Sequence, residues 1–202
     1  MKIGIMGGTF DPIHNGHLML GEYAYRQFKL DKIWYMPNGC PPHKNNAKIG
    51  SDAVTRANMV RLAIEGTEYF ELQDYEIKKE TVSCSYATLE YFNELYKGDE
   101  FYFIIGADSL FAIERWVHPE RVLKACTILA AYRNEMNNRD VMDEQIQMLN
   151  QKYGANIHLL ETPVMDVSSS ELREMIKNHS DVSSYVPSKV AEYIKVNELY
   201  AN

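Results

Sequence analysis

The chain has little cysteine: Cys40, Cys84 and Cys126 are its three, scattered over 202 residues. An odd, dispersed set excludes a disulfide framework and a four-ligand zinc site. Long apolar runs are also missing. None approaches the roughly 18–20 residues needed to cross a membrane, and the leading run 2–6 (KIGIM) is too short for the apolar core of a signal peptide. A soluble cytoplasmic protein without a membrane partner is expected. Positive charge is in deficit, with 21 Lys and Arg against 28 Asp and Glu and a net charge of −7. That is the wrong sign for a general nucleic-acid binder, although local basic residues can still serve a small anionic substrate. There are no repeats and no low-complexity segments.

What is present is enough for a core: 46% of the residues are hydrophobic, and the length suits a single domain over 1–202. Strand-like and helix-like stretches alternate. Strands are predicted at 2–6, 32–37, 70–77, 101–106, 126–132 and 156–161. Helices are predicted at 17–28, 52–65, 85–96, 139–153, 168–177 and 188–193, the second behind a Ser51/Asp52 cap. That order predicts an α/β fold, a Rossmann-like doubly wound parallel sheet with helices on both faces. In such sheets ligands bind beyond the carboxyl ends of the strands. The Pro- and Gly-rich stretch 37–50 is a long loop of the kind that is often functional.

The string GGTFDPIHNGH (7–17) follows the first strand directly. Gly7 and Gly8 permit positive φ and close approach of backbone N–H groups to a ligand. The helix behind them points unpaired N–H groups at the same place, which makes an anion site. His14 and His17 share a helix face at i and i+3 and can both donate to a phosphate. Gly16 between them leaves room for a flat base. A metal is the other use of two histidines, but no third ligand at a suitable spacing is evident. No Ser/His/Asp or Cys/His arrangement is visible.

The string resembles the signature of the nucleotidyltransferase superfamily that uses H-x-G-H, also known from class I aminoacyl-tRNA synthetases. Within it, the chain looks like the bacterial nicotinate mononucleotide adenylyltransferases. The likeness extends through PNGCPPHK (37–44), Arg56, FIIGADSL (103–110), Trp116 and VSSSELR (167–173), and so covers nearly the whole chain in order. A synthetase would be longer and would carry a second, lysine-rich signature that is absent. The resemblance implies an enzyme that joins ATP to nicotinate mononucleotide, releasing deamido-NAD and pyrophosphate.

It also implies the site. His14 and His17 donate to ATP phosphates, with Gly7, Gly8, Thr9, Phe10 and Gly16 around them. Lys44 reaches a phosphate from the Pro-rich loop and touches both substrates. Gly106 and Asp108 hold the adenosine ribose; Asp108 could equally cap the next helix. Trp116 stacks near the pyridine ring. Ser168, Ser169, Ser170 and Arg173 take phosphate, while Ser168 and Glu171 also have the spacing of a capping box. Arg133 borders the adenine. Mg²⁺ travels with the ATP, with few protein ligands of its own, and none is assigned. The helical part from about 165 to 202 completes the nucleotide site. A homo-oligomer is left open.

One segment departs from the family pattern. Where a Ser-Tyr-Thr, two residues, Thr-Leu stretch helps hold the nicotinate carboxylate, this chain has Ser83, Cys84, Ser85, Tyr86, Ala87, Thr88 and Leu89; alternatively Ser85-Tyr86 is the matching pair and two residues are missing. Main-chain N–H groups at a helix start can hold a carboxylate whatever the side chains, so Ser85 and the acid substrate are retained. The rivals are a related adenylyl- or cytidylyltransferase acting on nicotinamide mononucleotide or phosphopantetheine, and a non-catalytic nucleotide-binding module. A peptide- or RNA-binding domain rests only on 11% aromatic content.

Overall fold

A computed structural model describes residues 1–39, 49–79, 82–133, 139–163 and 167–201. Its strands are β1 (Lys2–Gly8), β2 (Lys32–Pro37), β3 (Phe70–Leu72), β4 (Glu100–Gly106), β5 (Thr127–Arg133) and β6 (Ile157–Thr162). Its helices are α1 (Asn15–Phe28), α2 (Ala53–Ile64), α3 (Ser85–Leu95), α4 (Ala107–Ala112), α5 (Pro119–Ala125), α6 (Arg139–Tyr153), α7 (Ser169–Lys177) and α8 (Ser188–Val196). The six strands form one sheet in the order β3-β2-β1-β4-β5-β6. This is the doubly wound arrangement, with the direction of winding reversed between β1 and β4. β1 pairs in parallel with β4 (Ile5 opposite Phe103), β4 with β5 (Ile104 opposite Leu129) and β5 with β6 (Ala130 opposite Leu159). The strands are nearly continuous apolar runs because helices cover both faces of a sheet of this kind; Ile3, Ile5, Ile33, Tyr35, Ile128 and Leu129 are fully buried.

The described chain divides into two compact units, each assembled from separated segments. The first is 1–7, 20–33 and 84–164; the second is 8–19, 34–83 and 165–202. In the first, β1, β4, β5 and β6 carry the core, and α3 packs on α5. In the second, α2 packs on β3 and α8, and a Lys189–Glu65 ion pair and an Asn58–Tyr193 hydrogen bond link those helices.

Several elements differ from the sequence expectation. The extended stretch expected over 70–77 stops at Leu72, because local bonds take over. Tyr75 N–H donates to the Gln73 side chain, Lys78 N–H donates to the Asp74 carbonyl, and the Lys78 and Asp74 side chains pair. Short side-chain bonds of this kind compete with a ladder. Helices α4 and α5 are additional. α5 has Pro119 at its first position and buries only Val122 and Leu123, too few apolar positions to show a helical period. α1 begins two residues earlier than expected, and α8 runs three further. Asp52 alone caps α2, accepting from Thr55 N–H at 2.7 Å.

Gly4 sits where β1 is crowded: a Cβ there would lie 2.6 Å from Ile33 Cδ1 and 2.9 Å from Leu30 Cδ1. Gly4→Ala is expected to lower stability by about 1–3 kcal/mol through overpacking, read as a lower urea midpoint at unchanged slope.

Candidate active site

The opening loop leaves β1 at Gly8, in the second unit. Neither Gly7 nor Gly8 adopts positive φ; Phe10 does, at +52°. The glycines are required by room instead. A Cβ on Gly8 would lie 2.9 Å from the Phe10 ring, and one on Gly7 3.2 Å from the Phe103 ring. Phe10, expected beside ATP, has its side chain in the core at 1% exposure, with its ring edge-on to His17 at 5.0 Å. It therefore supports His17 from below. The Asp11–Pro12 peptide is cis.

His14 caps α1. Its carbonyl accepts from His17 N–H at 2.9 Å and Leu18 N–H at 3.4 Å, and its own N–H donates to His17 Nδ1 at 3.2 Å. The imidazole at the third helical position thus takes the place that a glutamate has in a capping box. With Nδ1 accepting, the proton of a neutral His17 ring lies on Nε2, which is then a donor. The two imidazoles stack, centroids 3.7 Å apart. Tyr35, fully buried, holds this first turn by donating to the His17 carbonyl at 3.3 Å. Asn15 N–H is bonded to the Tyr185 carbonyl at 2.8 Å. The backbone donors Asn15, His17 and Leu18 are therefore used inside the protein, contrary to the expectation of an open helix start, and Gly16 is buried instead of forming an exposed ledge for a base.

Beneath the loop lies Arg56, on α2, at 1% exposure. Its Nη1 donates to the Thr9 carbonyl at 2.7 Å and its Nη2 to the Asn38 carbonyl at 2.7 Å. It therefore ties the loop to the end of β2, where Asn38 N–H also donates to the Gly8 carbonyl. Burial pushes the guanidinium below its ordinary pKa, partly offset by Asp11; an arginine starting so high stays charged. The result is a fixed cation under the glycine turn.

Asp11 is buried too, at 1% exposure. Its carboxylate accepts from Gly50 N–H at 2.6 Å, from the Tyr200 hydroxyl at 2.7 Å and from the Ser51 hydroxyl. Arg173, on α7, donates to the Asp11 carbonyl at 2.8 Å and lies 3.6 Å from its carboxylate.

At the start of α7 the capping box is complete. Glu171 N–H donates to Ser168 Oγ, and Ser168 N–H donates to the Glu171 carboxylate. Ser169 Oγ donates to the Pro12 carbonyl at 2.9 Å. Two of the three serine hydroxyls expected on phosphate are thus bonded within the protein, Ser168 to the Glu171 carboxylate and Ser169 to the Pro12 carbonyl. Ser170 Oγ accepts from Arg173 Nη2 at 3.5 Å and keeps its proton for donation among the described residues.

Gly7, Ser85, Gly106, Asp108 and Trp116 belong to the first unit. Gly7, Gly106 and Asp108 are exposed, at the carboxyl ends of β1 and β4, where the winding reverses. Asp108 lies inside the first turn of α4; the cap position is Gly106, so the capping alternative does not hold. Trp116 is half-buried, its ring edge-on to Phe103 at 6.1 Å. Ser85 opens α3 behind Cys84, whose side chain makes no capping bond. The Cys126 thiol is pushed up to about 12 by burial, which makes it inert. Lys44, with His43, lies outside the described residues, as does the side chain of Arg133. Among the described residues no three His, Cys, Asp or Glu side chains converge on a point that could hold a metal ion. Asp11, the carboxylate nearest the histidines in the chain, is committed to protein donors. The described residues thus form no cage of carboxylates and imidazoles for Mg²⁺.

The sequence profile of the cytidylyltransferase-like family matches residues 5–175. A protein from Clostridium novyi (strain NT), named a probable nicotinate-nucleotide adenylyltransferase, is 39% identical over 199 residues, 98% of each chain. One of the same name from Caldicellulosiruptor bescii is 40% identical over 200 residues, 99% of each. The chain belongs to the nicotinate-nucleotide adenylyltransferase family. Solved structures of a Plasmodium falciparum nicotinic acid mononucleotide adenylyltransferase, complexed with APC and with NaAD, share its fold. Their TM-scores are 0.79 and 0.81 at 22% identity, and they cover 98% of this chain and 96% and 97% of their own. In this adenylyltransferase the sequence missed Asp11, Asn38 and Tyr200. Asp11 and Asn38 stand inside quoted motifs, next to proline and glycine, so a turn role masked them; Tyr200 carries no local signal.

Arg56→Lys keeps the charge and loses the fork that bridges two carbonyls. It is expected to lower stability by about 2–3 kcal/mol and to weaken ATP binding, measured by chemical denaturation and by calorimetric titration with ATP.

Proposed function

We propose that this chain transfers the adenylyl group of ATP to nicotinate mononucleotide, giving deamido-NAD and pyrophosphate in NAD biosynthesis. The observation that carries the mechanism is the stacked His14/His17 pair on a loop that Arg173 grips. The acceptor phosphate is already ionised at neutral pH, so no general base is needed. Its oxygen forms a bond to the α-phosphorus as the α–β bridging P–O bond breaks, and pyrophosphate leaves with the electron pair. The task of the protein is to hold two polyanions in line and to meet charge that builds on the α-phosphate and the leaving group.

His17 donates from Nε2 to an α-phosphate oxygen. His14 stacks behind it, Ser170 and Arg173 take the triphosphate, and Arg56 adds a fixed positive potential from below. Lys44 reaches a phosphate from the loop 37–50. Asp108 accepts from the ribose hydroxyls, and Trp116 lies against the pyridine ring. The start of α3, at Ser85, receives the nicotinate carboxylate on main-chain N–H groups. The segment 165–202 completes the nucleotide site through α7. Mg²⁺ enters as part of the ATP complex.

His17→Ala is expected to lower kcat by about 10²–10³ with a smaller change in the KM for ATP, followed as pyrophosphate release; turnover equal to wild type would remove His17 from the chemistry. With acid and amide mononucleotides compared as acceptors, kcat/KM should favour the acid by on the order of tenfold or more, because the amide turns its own donors toward N–H groups. Equal rates would reassign the acceptor, and release of no pyrophosphate with either would leave only a nucleotide-binding module.

A further inference from the structure

Asp11 has no task in the reaction set out above, yet three residues from two well-separated stretches of the second unit converge on its carboxylate. Gly50 N–H, the Ser51 hydroxyl and the Tyr200 hydroxyl all donate to it. The Ser51 and Tyr200 oxygens are themselves 3.0 Å apart. The carbonyl of the same residue holds Arg173 Nη1 at 2.8 Å, and the next carbonyl along, that of Pro12, holds Ser169 Oγ at 2.9 Å. Two residues beyond Pro12 comes His14. One carboxylate thus connects a tyrosine 189 positions away to the loop and the guanidinium assigned to the triphosphate.

The seat of the tyrosine is shaped for it. A Cβ on Gly50 would lie 2.9 Å from two carbons of the Tyr200 ring and 3.1 Å from Arg173 Cδ. Burial and the neighbouring Asp11 charge raise the phenol above its ordinary pKa, so it stays protonated and a donor.

We propose that Tyr200 is a positioning residue for adenylyl transfer, its hydroxyl holding Asp11 so that the opening loop and Arg173 keep the arrangement that receives the triphosphate. The role rests on the reaction proposed above. A residue that merely packs would change stability and leave the turnover of folded protein alone.

The test is steady-state kinetics with ATP and nicotinate mononucleotide, alongside thermal unfolding, on the full chain as wild type, Tyr200→Phe, Gly50→Ala and the double variant. Tyr200→Phe removes only the hydroxyl and is expected to lower kcat about tenfold, the size of one hydrogen bond to a charged group. The KM for nicotinate mononucleotide should stay within about twofold and the unfolding midpoint within several degrees. Gly50→Ala keeps the hydroxyl but displaces the ring, and should act in the same direction. The double variant should be no slower than the slower single one, because both break one contact. Wild-type turnover in Tyr200→Phe, a loss matched by its unfolded fraction, or additive losses in the double variant would overturn the role. Should Tyr200→Phe fail to fold, the kcat of Gly50→Ala decides by the same criteria. Absence of deamido-NAD from the wild-type protein would instead overturn the reaction assignment, and this role with it.

Discussion

A carboxylate taken out of water must find donors for its oxygens, and a guanidinium must find acceptors. Asp11 and Arg56 are both nearly inaccessible, and their partners decide the shape of the opening loop. Asp11 draws in Gly50, Ser51 and Tyr200, while Arg56 draws in the carbonyls of Thr9 and Asn38. Leaving any of these groups unpaired in the interior would be costly. The glycine turn between the two charges therefore has little freedom. Donors already fixed when a ligand arrives need no reorganisation as charge develops, and electrostatic catalysis depends on that condition.

The histidines illustrate the same economy. His17 Nδ1 accepts from the His14 backbone, which places the proton of a neutral ring on Nε2. Phe10 sets its edge against that ring and needs the space that Gly8 leaves. Part of the motif GGTFDPIHNGH is thus a structural foundation, to which its aromatic residue belongs.

The alternation of strands and helices was legible along the chain, because a parallel sheet covered on both faces writes its strands as unbroken apolar runs. The capping box of Ser168 and Glu171 could be read from spacing alone. What could not be read was of two kinds. Short helices such as α5 bury two adjacent residues and show no period. Long-range polar pairs leave no local trace: nothing near residue 200 announces a bond to Asp11, and nothing near Ser169 says that its hydroxyl will be spent on Pro12. The open start expected for α1 failed for the same reason, since Tyr185 supplies the carbonyl that occupies Asn15.

The bond between positions 11 and 200 also has a bearing on synthesis. Contacts so far apart in the chain close late, because the intervening loop must first lose its freedom. On a translating ribosome, the carboxylate at position 11 is made well before the phenol that bonds to it, which follows 189 residues later. Strands made in between can therefore assemble on the nascent polypeptide before this bond is able to form.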